Sequence, residues 1–353
     1  MKPTTHTYEI DVLHGDCKML SMHDLSAPTQ KQMATRLGVS QSLVSRALSG
    51  RAEEIGASRE TVEMIRRTAV KWNYQPSATA LALLGAPTRT IGVVVKHFDD
   101  PYFGRLIGAL QILACENGNS LLLTGGTQAD LAGLQKHRVD GVILAGSDFQ
   151  PEGLRSFAHG GLPVVQIGTG SSFSGTMQIH MDEEAGIEEL VGYLASLGHR
   201  DIGFVAGRTG SNSRRGEIVR RRLRARGFSV RPKAFIFSEG SDGQVAEHAV
   251  YALLGLARMP TAMIAAEDSL AIALLRYLYK KGISVPREIS IAGIDDIAVS
   301  AHATPPLTTL RQPIPEMAAT AFRALTLSGG KRRPVSVPGT LILRESCAPL
   351  ASP

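Results

Sequence analysis

Residues 29–49, TQKQMATRLGVSQSLVSRALS, constrain the fold more than any other stretch of the chain. Thr29 followed by Gln32 predicts a capping box, in which hydroxyl and amide satisfy each other's orphan backbone donors and start a helix. Met33, Ala34 and Leu37 share one side of that helix. Gly38 ends it, because a left-handed turn there carries no Cβ penalty. Val39 can plug the turn, and Ser40 is a fitting cap for a second helix. At about 100° per residue, Gln41, Ser42, Ser45, Arg46 and Ser49 fall on one polar arc, while Leu43, Val44, Ala47 and Leu48 fill the opposite one. The apolar arc is a docking face. The polar arc is short-chained, nearly uncharged and rich in hydrogen-bonding groups, with one long Arg, which suits reading base edges in a major groove. The pattern predicts a helix-turn-helix with its reading helix second.

Polar outer faces are common on helical hairpins, so the neighbouring sequence decides. Residues 58–72 predict a third amphipathic helix, with Val62, Ile65, Ala69 and Trp72 spaced to close a three-helix core. NYQPSATALALLG follows at 73–85, then a strand at 91–95. The series GVSxxxVSRxL, third helix, NYxP, short Ala/Leu helix and IGVVV resembles, in order and spacing, the lactose repressor/galactose repressor (LacI/GalR) family of bacterial transcription regulators. The resemblance spans residues 28–347. It implies a sequence-specific DNA-binding regulator, a repressor on family grounds, whose operator affinity is set by a small-molecule effector such as a sugar or related metabolite. It also implies a homodimer or tetramer on a pseudo-palindromic double-stranded operator. The positions it assigns to DNA are Thr29, Ser40, Gln41, Ser42, Ser45, Arg46, Asn73, Tyr74 and Leu83. Segment 77–84 is too short to be a stable helix alone. In the family it orders on DNA, and a Leu from each subunit wedges open a base step in the minor groove. Leu83 stands at that place; the plainer role is packing on the core domain.

Beyond residue 90 the chain alternates strand and helix. Continuous apolar runs at 91–95, 121–123, 142–145, 164–167, 202–206, 235–237, 263–266 and 289–292 read as buried parallel strands. Helices such as 103–117, 183–197 and 269–281 lie between them. This is a doubly wound α/β pattern written twice, dividing near Met181, and the resemblance makes it periplasmic-binding-protein-like. Segment 305–309 (PPLTT) reads as the crossing back toward the first half, followed by a helix at 314–327 and closing strands at 335–337 and 340–343. The expected organisation is a disordered tail at 1–27, a helix-turn-helix domain at 28–75 and a hinge helix and linker at 76–90. A two-lobed effector-binding and dimerisation domain occupies 91–347, with lobe 1 at 91–181 and 313–332 and lobe 2 at 182–310 and 333–347. Two lobes joined by several crossovers make a hinged clamp around a cleft.

In parallel α/β lobes, ligands bind outside the carboxyl ends of the strands. Polar groups at such ends are Asp99, Asp100 and the Tyr102-Phe103 pair, Glu267 and Asp268, Asp295 and Asp296, with Arg214 and Arg215 after the strand ending at Gly207. Asp268 and Asp296 read equally as helix N-caps, and Arg215 as one more solvated Arg. The resemblance assigns effector contacts to Arg215, Glu267 and Asp295, with Asp100, Phe103 and Gln312 beside them. Paired carboxylates with an Arg suit a diol or amine, and an Arg alone suits a carboxylate or phosphate. Several positions depart from the family pattern. Ile218-Val219 replace a usual Gly-Phe, Gly168 stands where some sugar-binding members carry an acid, and Ser77 replaces a common Asn. The single Trp is Trp72, so stacking in the lobes falls to Phe98, Tyr102, Phe103 or Phe173.

Composition narrows the classes. At 43% hydrophobic and 20% charged, the chain has the make-up of a globular rather than a disordered protein. No apolar run approaches the roughly 18–20 residues of a membrane span, and no apolar leader is present, so the cytoplasm, at the nucleoid, is the expected location. Cys17, Cys115 and Cys347 give neither a disulfide framework nor zinc spacing. His6, His14, Cys17 and His23 fit no standard metal pattern; the segment is expected to be a mobile tail, or to precede a native start at Met19 or Met22. Eight Lys/Arg against four Asp/Glu between 27 and 85 make the first module basic, which suits phosphate contact. The run at 208–233, ten Lys/Arg against one Glu, reads first as a solvated helix face. With no P-loop, GxSxG or HExxH, no catalytic residue, cofactor or metal site is expected. An enzyme or a small-solute-binding protein of the doubly wound class is the rival reading.

Overall fold

The computed structural model describes residues 28–74, 87–126, 136–149, 161–170, 176–326 and 333–350, with Leu131 and Leu134. The tail with its histidines, the hinge segment with Leu83, and Phe173 lie outside the described residues. Two compact units divide the chain, Met1–Ala86 and Pro87–Pro353.

The first unit is a three-helix head of α1 (Gln30–Leu37), α2 (Gln41–Leu48) and α3 (Arg59–Lys71). Its starts are chemically enforced. The backbone N–H of Thr29 donates to Gln32 Oε1 at 2.8 Å and that of Gln32 to Thr29 Oγ1 at 3.2 Å, the two halves of a capping box. Gly38 closes α1 at φ 68°. Ser40 and Ser58 accept from the backbone N–H of Leu43 and Thr61 and so start α2 and α3. Met33, Val44, Ala47 and Ile65 are completely buried between the helices, with Leu37, Leu43, Val62, Trp72 and Tyr74 packed around them.

The second unit holds two six-stranded sheets. Strands β1 (Thr90–Val95), β2 (Ser120–Gly125), β3 (Gly141–Ala145), β4 (Val164–Ile167) and β5 (Met177–Met181) form the first, ordered β2-β1-β3-β4-β5. Strands β6 (Ile202–Gly207), β7 (Phe235–Ser238), β8 (Ala262–Ala265), β9 (Ser290–Asp295) and β10 (Thr308–Arg311) repeat the same order in the second. All of these pairs are parallel. In each lobe the order reverses between a first and third strand, and that switch point opens a crevice at the carboxyl ends. The layers are completed by α4 (Pro101–Glu116), α5 (Glu183–Ser196), α6 (Gly210–Ala225), α7 (Asp242–Leu254), α8 (Asp268–Lys280) and α9 (Ile314–Thr326). Among the described residues, no helix is long and apolar enough to cross a membrane.

The closing strands part company with the expectation. Strand β11 (Val335–Val337) does not belong to lobe 2; it lies parallel to β5, Val335 opposite Ile179, and finishes the lobe 1 sheet. Only β12 (Thr340–Ile342) joins lobe 2, antiparallel to β10. Two short apolar segments look alike in sequence, and the free strand edge each one meets decides its lobe. Segment 305–309 is likewise not a plain crossing, since from Thr308 it is strand and the chain leaves lobe 2 at Gln312. Strand β5 escapes the apolar-run criterion because Gln178 and His180 interrupt it. The crossings are tied together: the N–H of Asp182, leaving β5, donates to the carbonyl of Val337 at 2.8 Å.

The head has few buried side chains, so one of them carries much of its stability. Ile65→Ala is expected to cost about 2–5 kcal/mol and to lower the melting of the head in calorimetry. The transition of the two-lobed unit should stay where it is.

Candidate functional site

On the head, Gln41 and Ser42 are exposed at the start of α2, and Ser45 and Arg46 are half-exposed behind them, while Val44 and Ala47 are buried. The Arg46 guanidinium makes no bond among the described residues. Thr29 and Ser40 are also exposed, but their hydroxyls serve as helix caps. Asn73 is exposed at φ 49°, whereas the Tyr74 ring packs on the head core. The outer face of α2 is therefore polar and, among the described residues, unbonded, on a helix pinned by its cap and its buried side.

In the two-lobed unit, Asp100, Phe103, Arg215, Glu267, Asp295 and Gln312 line one cavity of about 110 Å³. Asp100 starts α4 by accepting the Tyr102 N–H at 2.8 Å. Burial pushes its carboxyl up; the Tyr102 N–H opposes that, and Glu267 adds to it. Phe103 is buried, edge-on to Tyr102 with centroids 5.1 Å apart. Phe98 is 57% exposed and does not line the cavity, so the aromatic wall is Tyr102 and Phe103.

Arg215 is not a solvated arginine. It is buried in α6, with Nε donating to Glu183 Oε1 at 2.8 Å and Nη1 to the Ala266 carbonyl at 2.7 Å. Burial works against the cation, but Glu183, Asp295 and Glu267 outweigh it and raise its pKa. Burial would also push Glu183 up, but Arg215 and Arg214 together hold it below the usual carboxylate range. Asp295 is different. Burial drives its carboxyl well above the ordinary range, with Arg215 opposing and Asp268 and Glu267 adding. Its Oδ1 accepts from Gln312 Nε2 at 2.5 Å. A carboxyl that keeps its proton more readily can donate as well as accept, beside an arginine whose Nη2 makes no bond among the described residues.

Two acids leave the set of ligand candidates, and neither is an N-cap. Asp268 is the first residue of α8 and is wholly buried, accepting from Ser300 Oγ and Thr309 Oγ1 at 2.6 Å each and from the Ile297 N–H. Asp296 is held by Arg311 and Arg344, both at 2.6 Å. Burial would raise its pKa, but the two arginines hold it below the ordinary value. Gly168 sits at φ 142°, and a Cβ there would lie 2.4 Å from the Gly146 carbonyl oxygen. No side chain, acidic or other, fits unless β3 and β4 separate at their ends.

Sequence reasoning missed Lys96, His97, Ser147, Thr169, His180, Glu183, Thr209 and Ser211, which also line the cavity. Glu183 carried a signal: an acid opening a helix directly after a strand end. The arginine-rich run is mostly a salt-bridged helix face. Arg221 and Arg222 meet Glu184, Arg222 and Arg226 meet Glu188, and Arg220 lies 4.5 Å over the Phe235 ring.

A periplasmic binding protein-like domain family matches residues 191–347. The HTH-type transcriptional regulator GalR of Escherichia coli (strain K12) is 30% identical over 315 residues, covering 87% of this chain and 90% of GalR. The HTH-type transcriptional repressor PurR of Glaesserella parasuis serovar 5 (strain SH0165) is 29% identical over 294 residues, covering 80% and 85%. Among solved structures, the lac repressor dimer bound to operator and the anti-inducer ONPF superposes with a TM-score of 0.78 at 23% identity, covering 92% of this chain and all of that one.

Asp242, the first residue of α7, lies within electrostatic reach of Glu267, Asp100 and Asp99. Burial, with Glu267, Asp100 and Asp99 adding, pushes its carboxyl up to about 6. A raised pKa stabilises the fold fully below about 4, progressively less as pH rises, and not at all above about 6. Asp242→Asn is therefore expected to melt above the parent at pH 7. The gap should close as pH is lowered to 4; a gap constant across that range would contradict the assignment.

Proposed function

The chain belongs to the lactose repressor/galactose repressor family of bacterial transcriptional regulators, and on that premise we propose how its two units divide the work. The protein is a DNA-binding repressor whose operator affinity is controlled by a small molecule, and it acts as a homodimer on a pseudo-palindromic operator. One observation supports this best: a single chain joins a head with a free polar reading helix to a two-lobed cleft lined by buried, interacting charges. In the head, Gln41, Ser42, Ser45 and Arg46 read base edges in the major groove. Thr29, Ser40, Asn73 and Tyr74 set the helix on the phosphate backbone, directly or by fixing its caps. Leu83, outside the described residues, is assigned the minor-groove wedge.

In the cleft, Arg215 and Asp295 hold the polar groups of the effector, Glu267 and Asp100 face them from the two lobes, and Phe103 supplies the apolar wall. Gln312 lies where the chain passes between lobes, so its bond to Asp295 links the ligand to the hinge. A ligand that prefers one lobe arrangement shifts the population, with coupling of about 1–3 kcal/mol. The relatives are regulators, and the cleft is assigned binding, not catalysis. The site of action is the cytoplasm, on the nucleoid.

Footprinting across the neighbouring genomic DNA tests the reading and supplies the operator; absence of any protected site would sink it. On that operator, Arg46→Ala should cost about 1–3 kcal/mol and relax discrimination at one position per half-site. An equal loss on all sequences would make Arg46 a phosphate contact instead. Asp295→Asn should bind operator as the parent does and fail to respond to the effector, measured by gel shift with metabolites of the regulated genes. Arg215 is a poorer choice for that test, because its removal leaves Glu183 buried with only one cation.

A further inference from the structure

We propose that Asp148 is an interlobe latch: a lobe 1 carboxylate that caps helix α6 of lobe 2 from across the cleft. Asp148 follows β3, and its Oδ2 accepts the backbone N–H of Ser211, in the first turn of α6, at 3.0 Å. The four leading N–H groups of a helix have no partner within it. Thr209 takes one of these donors, that of Asn212, from within lobe 2. Asp148 takes a second from the other lobe, where a negative charge also meets the positive end of the helix dipole.

The approach is built from both sides. Asp148 is held at φ 57°, with its own N–H on the Thr169 carbonyl at 3.1 Å. On its own lobe, a Cβ on Gly170 would lie 2.6 Å from both the Asp148 nitrogen and Oδ1. On the opposite lobe, a Cβ on Gly210 would come within 3.0 Å of Oδ1 and 3.1 Å of Oδ2. Glycine at both places lets the carboxylate seat against the helix end. The turn it grips leads directly to Arg215, which lines the cavity one turn further along α6. A second bond crosses between the lobes, from the Arg105 guanidinium to the Asp296 carbonyl. The latch holds the lobes together before any ligand arrives, so ligand binding works against or with a contact already made. It rests on the two-lobed geometry alone and stands whether or not the cleft takes the effector assigned above.

Thiol accessibility tests it on the full chain without DNA or ligand. Met317 is buried, belongs to α9 of lobe 1 and lines the cavity, so a Met317→Cys thiol in a Cys17→Ser, Cys115→Ser background reports cleft opening. The native Cys347, buried in the lobe 2 core, reports general loosening. Asp148→Ala is expected to speed modification of the Met317→Cys thiol on the order of tenfold, with Cys347 unchanged. Asp148→Asn, which keeps an acceptor oxygen and loses the charge, should fall between. An unchanged Met317→Cys rate overturns the latch. If Asp148→Ala accelerates both thiols, Gly210→Val decides, because it crowds the carboxylate from lobe 2 and leaves Asp148 in place. Faster Met317→Cys modification with Cys347 protected then supports the latch, and any other pattern rejects it.

Discussion

The pairing of Arg215 with Glu183 is the interaction on which the cleft depends. Taking a guanidinium out of water costs several kcal/mol after relaxation, and a buried carboxylate costs a similar amount. Neither could occupy the wall of a cavity without the other. Glu183 opens α5 directly after the chain enters lobe 2, and Arg215 stands on the next helix, so their bond fastens α5 to α6. The second arginine bond, to the Ala266 carbonyl, fastens α6 to the end of β8. A polar surface that would otherwise be unstable in a sheet-end crevice becomes a fixed feature. Burial, with Asp268 and Glu267 adding, raises the Asp295 carboxyl against the pull of Arg215, whereas Arg215 and Arg214 together outweigh burial at Glu183 and lower it.

The head solves a different problem. Its helices are eight, eight and thirteen residues long, shorter than a helix that persists alone in water. Each start is therefore capped by a hydroxyl, and the apolar sides meet in one small core. Helix α2 gains rigidity without using the side chains of Gln41, Ser42 or Arg46, which make no bonds among the described residues.

Between the lobes the chain crosses at Asp182, Gln312 and the turn between β11 and β12. Asp182 is bonded to Val337 and Gln312 to Asp295, so the crossings touch both each other and the cleft. A repeated strand order places both switch-point crevices on the facing ends of two sheets. That is how residues as distant in sequence as Asp100, Arg215 and Asp295 come to line one cavity.

By itself the sequence determined the local pieces. Caps, a turn glycine and 3.6-residue spacing specify α1 to α3 through neighbours a few positions away. Continuous apolar runs specify strands for the same reason, but not always buried ones: the run at 121–123 forms β2 at the edge of its sheet, half-buried, with Leu123 41% exposed. Strand ends offered Asp99, Asp100, Arg214, Arg215, Glu267, Asp268, Asp295 and Asp296, and only the family resemblance selected Asp100, Arg215, Glu267 and Asp295 among them. What only the tertiary structure decided depends on groups far apart in the chain. Nothing near Asp268 or Asp296 in sequence reveals that Ser300 and Thr309 satisfy one and Arg311 and Arg344 neutralise the other. Glu183 looks like any acid at a helix start until Arg215 is folded against it. Strand β11 goes to lobe 1 because the open edge of β5 supplies the hydrogen bonds, a fact absent from its own three residues. Local propensity acts through the chain's own neighbours, whereas burial and charge pairing act through space, and only the fold brings those partners together.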